Sequence, residues 1–302
     1  ALLSTIILTI PVAFFLLTPK AMQEYLSSMI SAVFFYANYY FQNLDFYVAE
    51  TTKVMPFLHT WTLAIEEQYY LLFPLLTFAV YKYKKQYLFF FFFIITFTSL
   101  FLNSLTQELV KFYQIQFRVW ELLLGVLIMI INSNLKIKHL EKIGFPLLIF
   151  AIFYFDDKVI NSIEPKLIAV IGMGLVIFSN TEKTFLTKIL SLNIFKYIGV
   201  SSFSIYLFHQ PIFSFFRIYF TEIKWEDLSD SQLSNFKIFI AILLTLLLGY
   251  LNYLLIEKYF LKTKNIKLIF FLILFIVFAN FTLNNFDNRN HSQNNNKITD
   301  YT

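Results

Sequence analysis

Nine long apolar runs, separated by short polar loops, constrain this chain more than any other feature. They cover residues 2–18, 62–81, 87–104, 117–132, 143–155, 167–180, 196–218, 237–257 and 267–284. A helix needs roughly 17–25 mostly apolar residues to cross a bilayer. No water reaches the backbone there, so a spanning segment must satisfy its own amides as a helix or close into a barrel. Unbroken runs of this length read as helices. The fold class is therefore all-α, a polytopic transmembrane helical bundle. The chain is 58% hydrophobic and 14% charged, where a soluble domain carries about 25% charged residues.

Two runs, 143–155 and 167–180, are short. At 13 residues the first reaches only about 20 Å as a helix, against a hydrocarbon core of about 30 Å. They either extend into their flanks or form a short hairpin around Glu164-Pro165, and as a pair they leave the parity of later spans unchanged. Residues 24–41 contain an apolar run, Met29 to Phe41, that is also short and has Asn38 near its end. It reads as a re-entrant or surface helix.

Loop charge orients the bundle. The loops 82–86, 133–143, 181–196 and 258–267 hold 3, 3, 3 and 4 lysines, whereas 42–58, 105–116, 156–166 and 219–237 hold 1, 1, 2 and 2. Positively charged loops stay in the cytoplasm. The second set also carries Asp45, Glu50, Asp156, Asp157, Glu164, Glu222, Glu226, Asp227 and Asp230. This topology explains the net charge of +5 better than nucleic-acid binding does. It puts His59 near the outer face, with the following helix running inward. The Asn-rich stretch after Asn284 then ends outside and reads as a flexible linker. The chain has no cysteine, which excludes disulfides and thiolate metal sites.

Polar residues inside such spans mark a working site, because one charge at membrane depth costs roughly 2.5–3.5 kcal/mol. Glu66 and Glu67 lie side by side in the first turns of the 62–81 run, seven and eight residues after His59, with Trp61 between. Arg118 and Glu121 open the next-but-one run three residues apart, on one helix face. They form either a plain interfacial ion pair or a cation, oriented by Glu121, that holds an anionic or hydroxylated substrate. Arginine is scarce, 3 against 21 lysines, so its planar fork is the reason to use it here. Ser202, Tyr206 and His209 share a face at i, i+4, i+7. His209 is either a hydrogen-bonding bundle residue or part of the site. The serines read as buried residues that hydrogen-bond between helices, and Pro211 is expected to kink the helix. Gly172 and Gly174 read as close helix packing. His139 and His291 fall outside the expected site. No nucleophile elbow, P-loop, zincin or dinucleotide motif is present.

Pro56-Phe57-Leu58-His59-Thr60-Trp61-Thr62-Leu63-Ala64-Ile65-Glu66-Glu67-Gln68-Tyr69-Tyr70-Leu71-Leu72-Phe73-Pro74 resembles the PLLHTWSLSVEEQFYLLWP hallmark of the acyltransferase-3 family. These are membrane enzymes that O-acetylate bacterial surface polysaccharides. Further segments agree in order. Phe35–Phe41 resembles FxSNWYF, Arg118–Gly125 resembles RAWELLLG, Ser202–Pro211 resembles SYSLYLWHWP, and Tyr253–Lys258 resembles YRLIEKPFR.

The resemblance implies a membrane O-acyltransferase in the bacterial inner membrane. Acetyl-CoA would be the donor substrate, with no tightly bound cofactor and no metal. The acceptor would be a polysaccharide or lipid-linked sugar reaching the cavity from outside. It implies catalytic roles for Glu66, Glu67, His59, Arg118 and His209, and substrate contacts by Trp61, Glu121, Tyr206 and Glu257. It places the acyltransferase domain at 1–265, an additional helix at 266–284 and a linker at 285–302. It also leads one to expect the family's first two helices, with an Arg/Lys-x10-His motif supplying a base, upstream of Ala1. Without them this segment would not act alone. The extra helix resembles the one that leads to an SGNH-type domain in the fused subgroup, and no Gly-Asp-Ser motif follows it here. Two rival classes are a carrier or flippase for a lipid-linked sugar, with the same wet cavity and no chemistry, and an assembly subunit of a surface-polysaccharide complex. A carrier leaves the mass of its cargo unchanged.

Overall fold

A computed structural model describes residues 1–44, 51–106, 108–132, 139–155, 163–179, 184–220, 235–263 and 265–299. The described residues are helical, with short turns between. In chain order the helices are α1 (Leu2–Leu16), α2 (Pro19–Val33), α3 (Ala37–Gln42), α4 (Thr60–Tyr83), α5 (Leu88–Leu105), α6 (Glu108–Tyr113), α7 (Val119–Asn132), α8 (Glu141–Tyr154) and α9 (Ile163–Phe178). They continue with α10 (Phe185–Leu190), α11 (Asn193–Phe220), α12 (Asn235–Asn252), α13 (Lys258–Thr263) and α14 (Ile266–Thr299). Each expected span has a helix in its place. Among the described residues, the helical stretches Lys85–Leu105, Asn235–Thr263 and Ile266–Asn284 are long and apolar enough to cross a membrane. The all-α membrane architecture read from the sequence is what the chain adopts. The acidic residues Asp45, Glu50, Asp156, Asp157, Glu222, Glu226, Asp227 and Asp230 lie outside the described residues.

The chain divides into two compact units, 1–64 with 196–302, and 65–195. In the first, α1 and α2 form a hairpin. Thr18 caps α2 by accepting from the Ala21 amide at 3.4 Å, and Pro19 occupies the first turn, where its missing N–H costs nothing. The core joins Ile6 of α1, Met22, Tyr25 and Met29 of α2, Phe57, Phe215 of α11 and Ile276 of α14. The Tyr25 hydroxyl, deep in this core, shares a hydrogen bond of 2.9 Å with Thr9. α2 stops at Phe34, and Phe35 takes a left-handed backbone (φ 54°) that turns the chain into α3. The stretch read as a re-entrant or surface helix is thus two helices with a sharp reversal between them.

In the second unit, Tyr69 of α4, Phe92 of α5 and Leu123 and Leu127 of α7 make the core. Tyr69 stacks on Phe73 at 5.1 Å, and Phe73 meets Phe92 at 5.3 Å. The short runs form the closely packed pair α8 and α9. A Cβ on Gly144 would stand 2.5 Å from the Gly172 carbonyl oxygen, and one on Gly172 would stand 3.0 Å from the Gly144 carbonyl oxygen. Small residues at both positions let the two backbones touch, as in membrane bundles generally. Glu164-Pro165 lies in the first turn of α9 rather than at the tip of a hairpin, where a proline lacking its N–H is tolerated. The two helices, 14 and 16 residues long, still fall short of a full bilayer core. α14 remains helical past Asn284, where the apolar run ends.

Candidate functional site

From Met55 to His59 the chain forms turns in which the carbonyls of Met55, Phe57, Leu58 and His59 accept from amides three residues on. One face of α11 adds side-chain donors to this stretch and to the residues just before it. The Tyr206 hydroxyl donates to the His59 carbonyl at 2.7 Å, and the Gln210 amide donates to the Met55 carbonyl at 3.2 Å. The Ser214 hydroxyl donates to the Val54 carbonyl, and Arg217 donates to the Lys53 carbonyl at 2.9 Å. Tyr206, Gln210, Ser214 and Arg217 follow one another at steps of four, four and three, a single helical stripe. From the other side, Phe57 is fully buried and its ring meets Tyr25 of α2 at 5.3 Å. Trp61 is also buried, at the first turn of α4. The segment carrying His59 is thereby held on two sides.

Three rings cluster at this point. His59 lies 5.0 Å from Tyr206 and 5.0 Å from His209, edge to face in both cases, and Tyr206 lies 5.2 Å from His209. The Thr62 hydroxyl sits against that of Tyr206 and donates to the His59 carbonyl at 3.0 Å. His59 is 8% exposed, and neither of its ring nitrogens makes a hydrogen bond of acceptable geometry. The backbone of Pro56 and Leu207 lies beside the ring. Pro211 falls four residues after Leu207 and has no N–H to give back to that carbonyl. The helix runs through Pro211 without ending, so the proline acts by leaving a carbonyl open at the imidazole.

His209 is half-buried, and its Nδ1 donates to the Tyr206 carbonyl. That bond fixes the neutral tautomer and leaves Nε2 with its lone pair. A ring held this way can accept a proton from a bound hydroxyl.

A second polar group sits nearby in sequence but on another face of α11. The buried Ser204 hydroxyl donates to the Glu257 carboxylate at 2.6 Å and accepts from the Asn252 amide at 2.9 Å. The Asn252 side-chain oxygen accepts from Ser4 of α1 at 2.7 Å. Glu257 ends a π-helical turn, Tyr253–Glu257, between α12 and α13, a distortion common at functional sites. Sequence reasoning took the serines as buried interhelical hydrogen-bonding residues. Ser202 departs from that, since it is exposed and bonds its own helix at Gly199. Ser204 fits it and joins Glu257 to three helices. The signal was Asn252, an amide inside an otherwise apolar run.

In the other unit, Arg118 makes the expected i,i+3 pair with both carboxylate oxygens of Glu121, at 3.1 and 2.8 Å. Its guanidinium also lies 5.8 Å from the centre of the Phe112 ring. The turn that presents it is clamped from α5, where Ser99 donates to the Gln116 carbonyl and Asn103 to the Phe117 carbonyl, both at 2.7 Å. Glu66 and Glu67 are half-buried on α4. Among the described residues no group of three or more His, Cys, Asp or Glu side chains could hold a metal ion. The structure thus brings together His59, Tyr206 and His209 in one unit, and Arg118 with Glu121 in the other. The approach of Glu66, Arg118 and His209 to one another spans the two units and stays an expectation.

The hallmark agrees with what comparison with known proteins finds. A Staphylococcus aureus (strain COL) protein named provisionally as an O-acetyltransferase is 28% identical over 256 residues, covering 78% of this chain and 41% of its own length. The O-acetyltransferase OatA of Staphylococcus aureus (strain NCTC 8325 / PS 47) is 28% identical over 261 residues, covering 79% of this chain and 42% of its own. The chain spans about two fifths of the length of these curated relatives. No solved structure matches it. The acyltransferase-3 family model, described as an acyltransferase domain, matches residues 5–254, and this chain is a membrane protein of that family.

Proposed function

We propose that this chain is the membrane domain of an O-acyltransferase. It moves an acetyl group from cytoplasmic acetyl-CoA to a hydroxyl of a surface polysaccharide or lipid-linked sugar, in the inner membrane of a bacterium. The observation that carries the reading is the fold of the hallmark segment, which sets two imidazoles and a phenol together in the bundle. Family membership and the O-acetyltransferase names of the relatives support it.

The chemistry follows from the residues. His209 Nε2 takes the proton of the acceptor hydroxyl as its oxygen attacks the acetyl carbonyl carbon. The new C–O ester bond forms, the C–S thioester bond breaks, and the CoA thiolate leaves and is reprotonated. His59, buried beside His209, donates a ring N–H toward the developing negative charge, and Tyr206 keeps its backbone in place. Arg118, oriented by Glu121, serves as a fixed cation for an anionic substrate group. Glu66 and Glu67 hold sugar hydroxyls.

The test separates this reading from a carrier. Surface glycan from cells making the full protein is compared with glycan from a deletion strain, by mass and by alkali-labile acetate. An acyltransferase adds ester-linked acetate that disappears in the deletion. A glycan of identical mass but lower surface abundance would instead establish a carrier.

A further inference from the structure

α2 has two working faces. Tyr25, with Ala21 and Ser28, leans on the hallmark segment at Val54, Met55 and Pro56. Gln23, Ser27 and Ile30, at i, i+4, i+7, line a separate groove with Leu26. Its opposite walls are Tyr36 and Tyr40 from the start of α3, and Asn280 and Asn284 of α14. The groove holds about 470 Å³, within the range of small-molecule sites.

Three observations say that the groove is built rather than left over. Phe35, a bulky residue with φ 54°, pays for the reversal that swings Tyr36 and Tyr40 back over α2, and such outliers collect at ligand clamps. The Tyr40 hydroxyl is tied to the Glu24 carbonyl at 3.3 Å, and the Asn280 amide donates to the Leu26 carbonyl at 2.8 Å. Finally, α14 sorts its residues by face. Phe270, Phe271, Leu274, Phe278 and Phe281 are exposed, as on a lipid-facing surface. Ile276, Asn280 and Asn284, at i, i+4, i+8, turn toward α2. Amides facing hydrocarbon would be costly, so this side faces water or a ligand.

The lining names the ligand class. Among the described residues it has amides, hydroxyls and two phenol rings, and no charged side chain. Asn and Gln each offer donors and an acceptor side by side, which match the neighbouring hydroxyls of a sugar. Tyr rings offer an apolar face beside a polar tip, which match the C–H face of a pyranose. A phosphate or lipid headgroup would require a cation, and none of the described lining residues is one. We infer that the groove between α2, α3 and α14 is a subsite for a neutral sugar unit of the acceptor glycan, separate from the His59–Tyr206–His209 cluster. The word acceptor rests on the acetyltransferase reading, while the sugar chemistry rests on the groove alone.

The test uses full-length protein in nanodiscs, with maltotetraose and the N-acetylglucosamine tetramer as probes, followed by saturation-transfer NMR. At least one tetrasaccharide should bind through its ring protons. Gln23→Leu and Asn284→Leu should each weaken it roughly tenfold. Neither residue makes a side-chain hydrogen bond that holds the bundle together, so both variants should fold. His59→Ala should bind the probe as wild type does. Inorganic phosphate and phosphatidylglycerol should not compete. Absence of binding by both saccharides, equal binding by the groove variants, or competition by phosphate would each overturn the inference. Sugar binding without any glycan acetylation would leave the groove standing and remove only the acetyltransferase reading.

Discussion

At the scale of single residues, the site depends on side chains that satisfy backbone rather than on charge pairs. Tyr206 donates to the His59 carbonyl, so Tyr206→Phe should cost about 0.5–1.5 kcal/mol of stability and slow acetyl transfer by letting the imidazole drift. Thermal unfolding in detergent and acetate incorporation by isolated membranes read the two effects, and no change in either would remove Tyr206 from the account. Arg118→Lys keeps the charge and loses the two-pronged grip on Glu121. It should lower transfer strongly while the protein still inserts, and unimpaired transfer would mean the pair is only interfacial. The His59 motif and the Arg118–Glu121 spacing were legible because each is local in sequence. The stripe from Tyr206 to Arg217 was half legible. Gln210 and Ser214 look ordinary until the turns before α4 are laid against them. Ser204, Asn252 and Ser4 were missed as a group because their contacts join positions some 50 and 250 residues apart.

At the scale of elements, each apolar run has a helix in its place, and boundaries moved by a few residues where polar flanks continued the helix. The reversal at Phe35 was not legible, since nothing about a phenylalanine signals a left-handed backbone. Close helix contacts were legible only as a preference for glycine. A methyl on Gly249 would stand 2.6 Å from the Ile205 Cα, a backbone atom that cannot swing aside. Gly249→Ala should therefore destabilise the packing of α12 on α11 by about 1–3 kcal/mol, and a variant with wild-type unfolding would show that the helices part freely. Orientation is an element-scale claim too. The chain has no native cysteine, so single cysteines report cleanly. In sealed right-side-out membranes, Lys53→Cys should react with an impermeant thiol reagent and Lys84→Cys should not. Labelling at position 84 would invert the topology.

At the scale of the whole molecule, the apolar pattern dictated an all-helical membrane protein, and the hallmark segment identified its family. The proposed chemistry lies where that segment turns into α4 and α11 grips it. There a buried imidazole lies beside one whose tautomer is fixed. The most direct measurement of the central claim is the rate of acetyl transfer from acetyl-CoA to surface glycan by membranes holding the full-length protein. Wild type is compared with His209→Ala and His59→Ala at matched protein levels. General base catalysis by a positioned side chain contributes roughly 10²–10⁴-fold, so His209→Ala should lose at least about a hundredfold in kcat. His59→Ala should fall substantially, with the bundle intact by unfolding. Transfer at the wild-type rate in both variants would contradict the account and put the chemistry elsewhere in the protein.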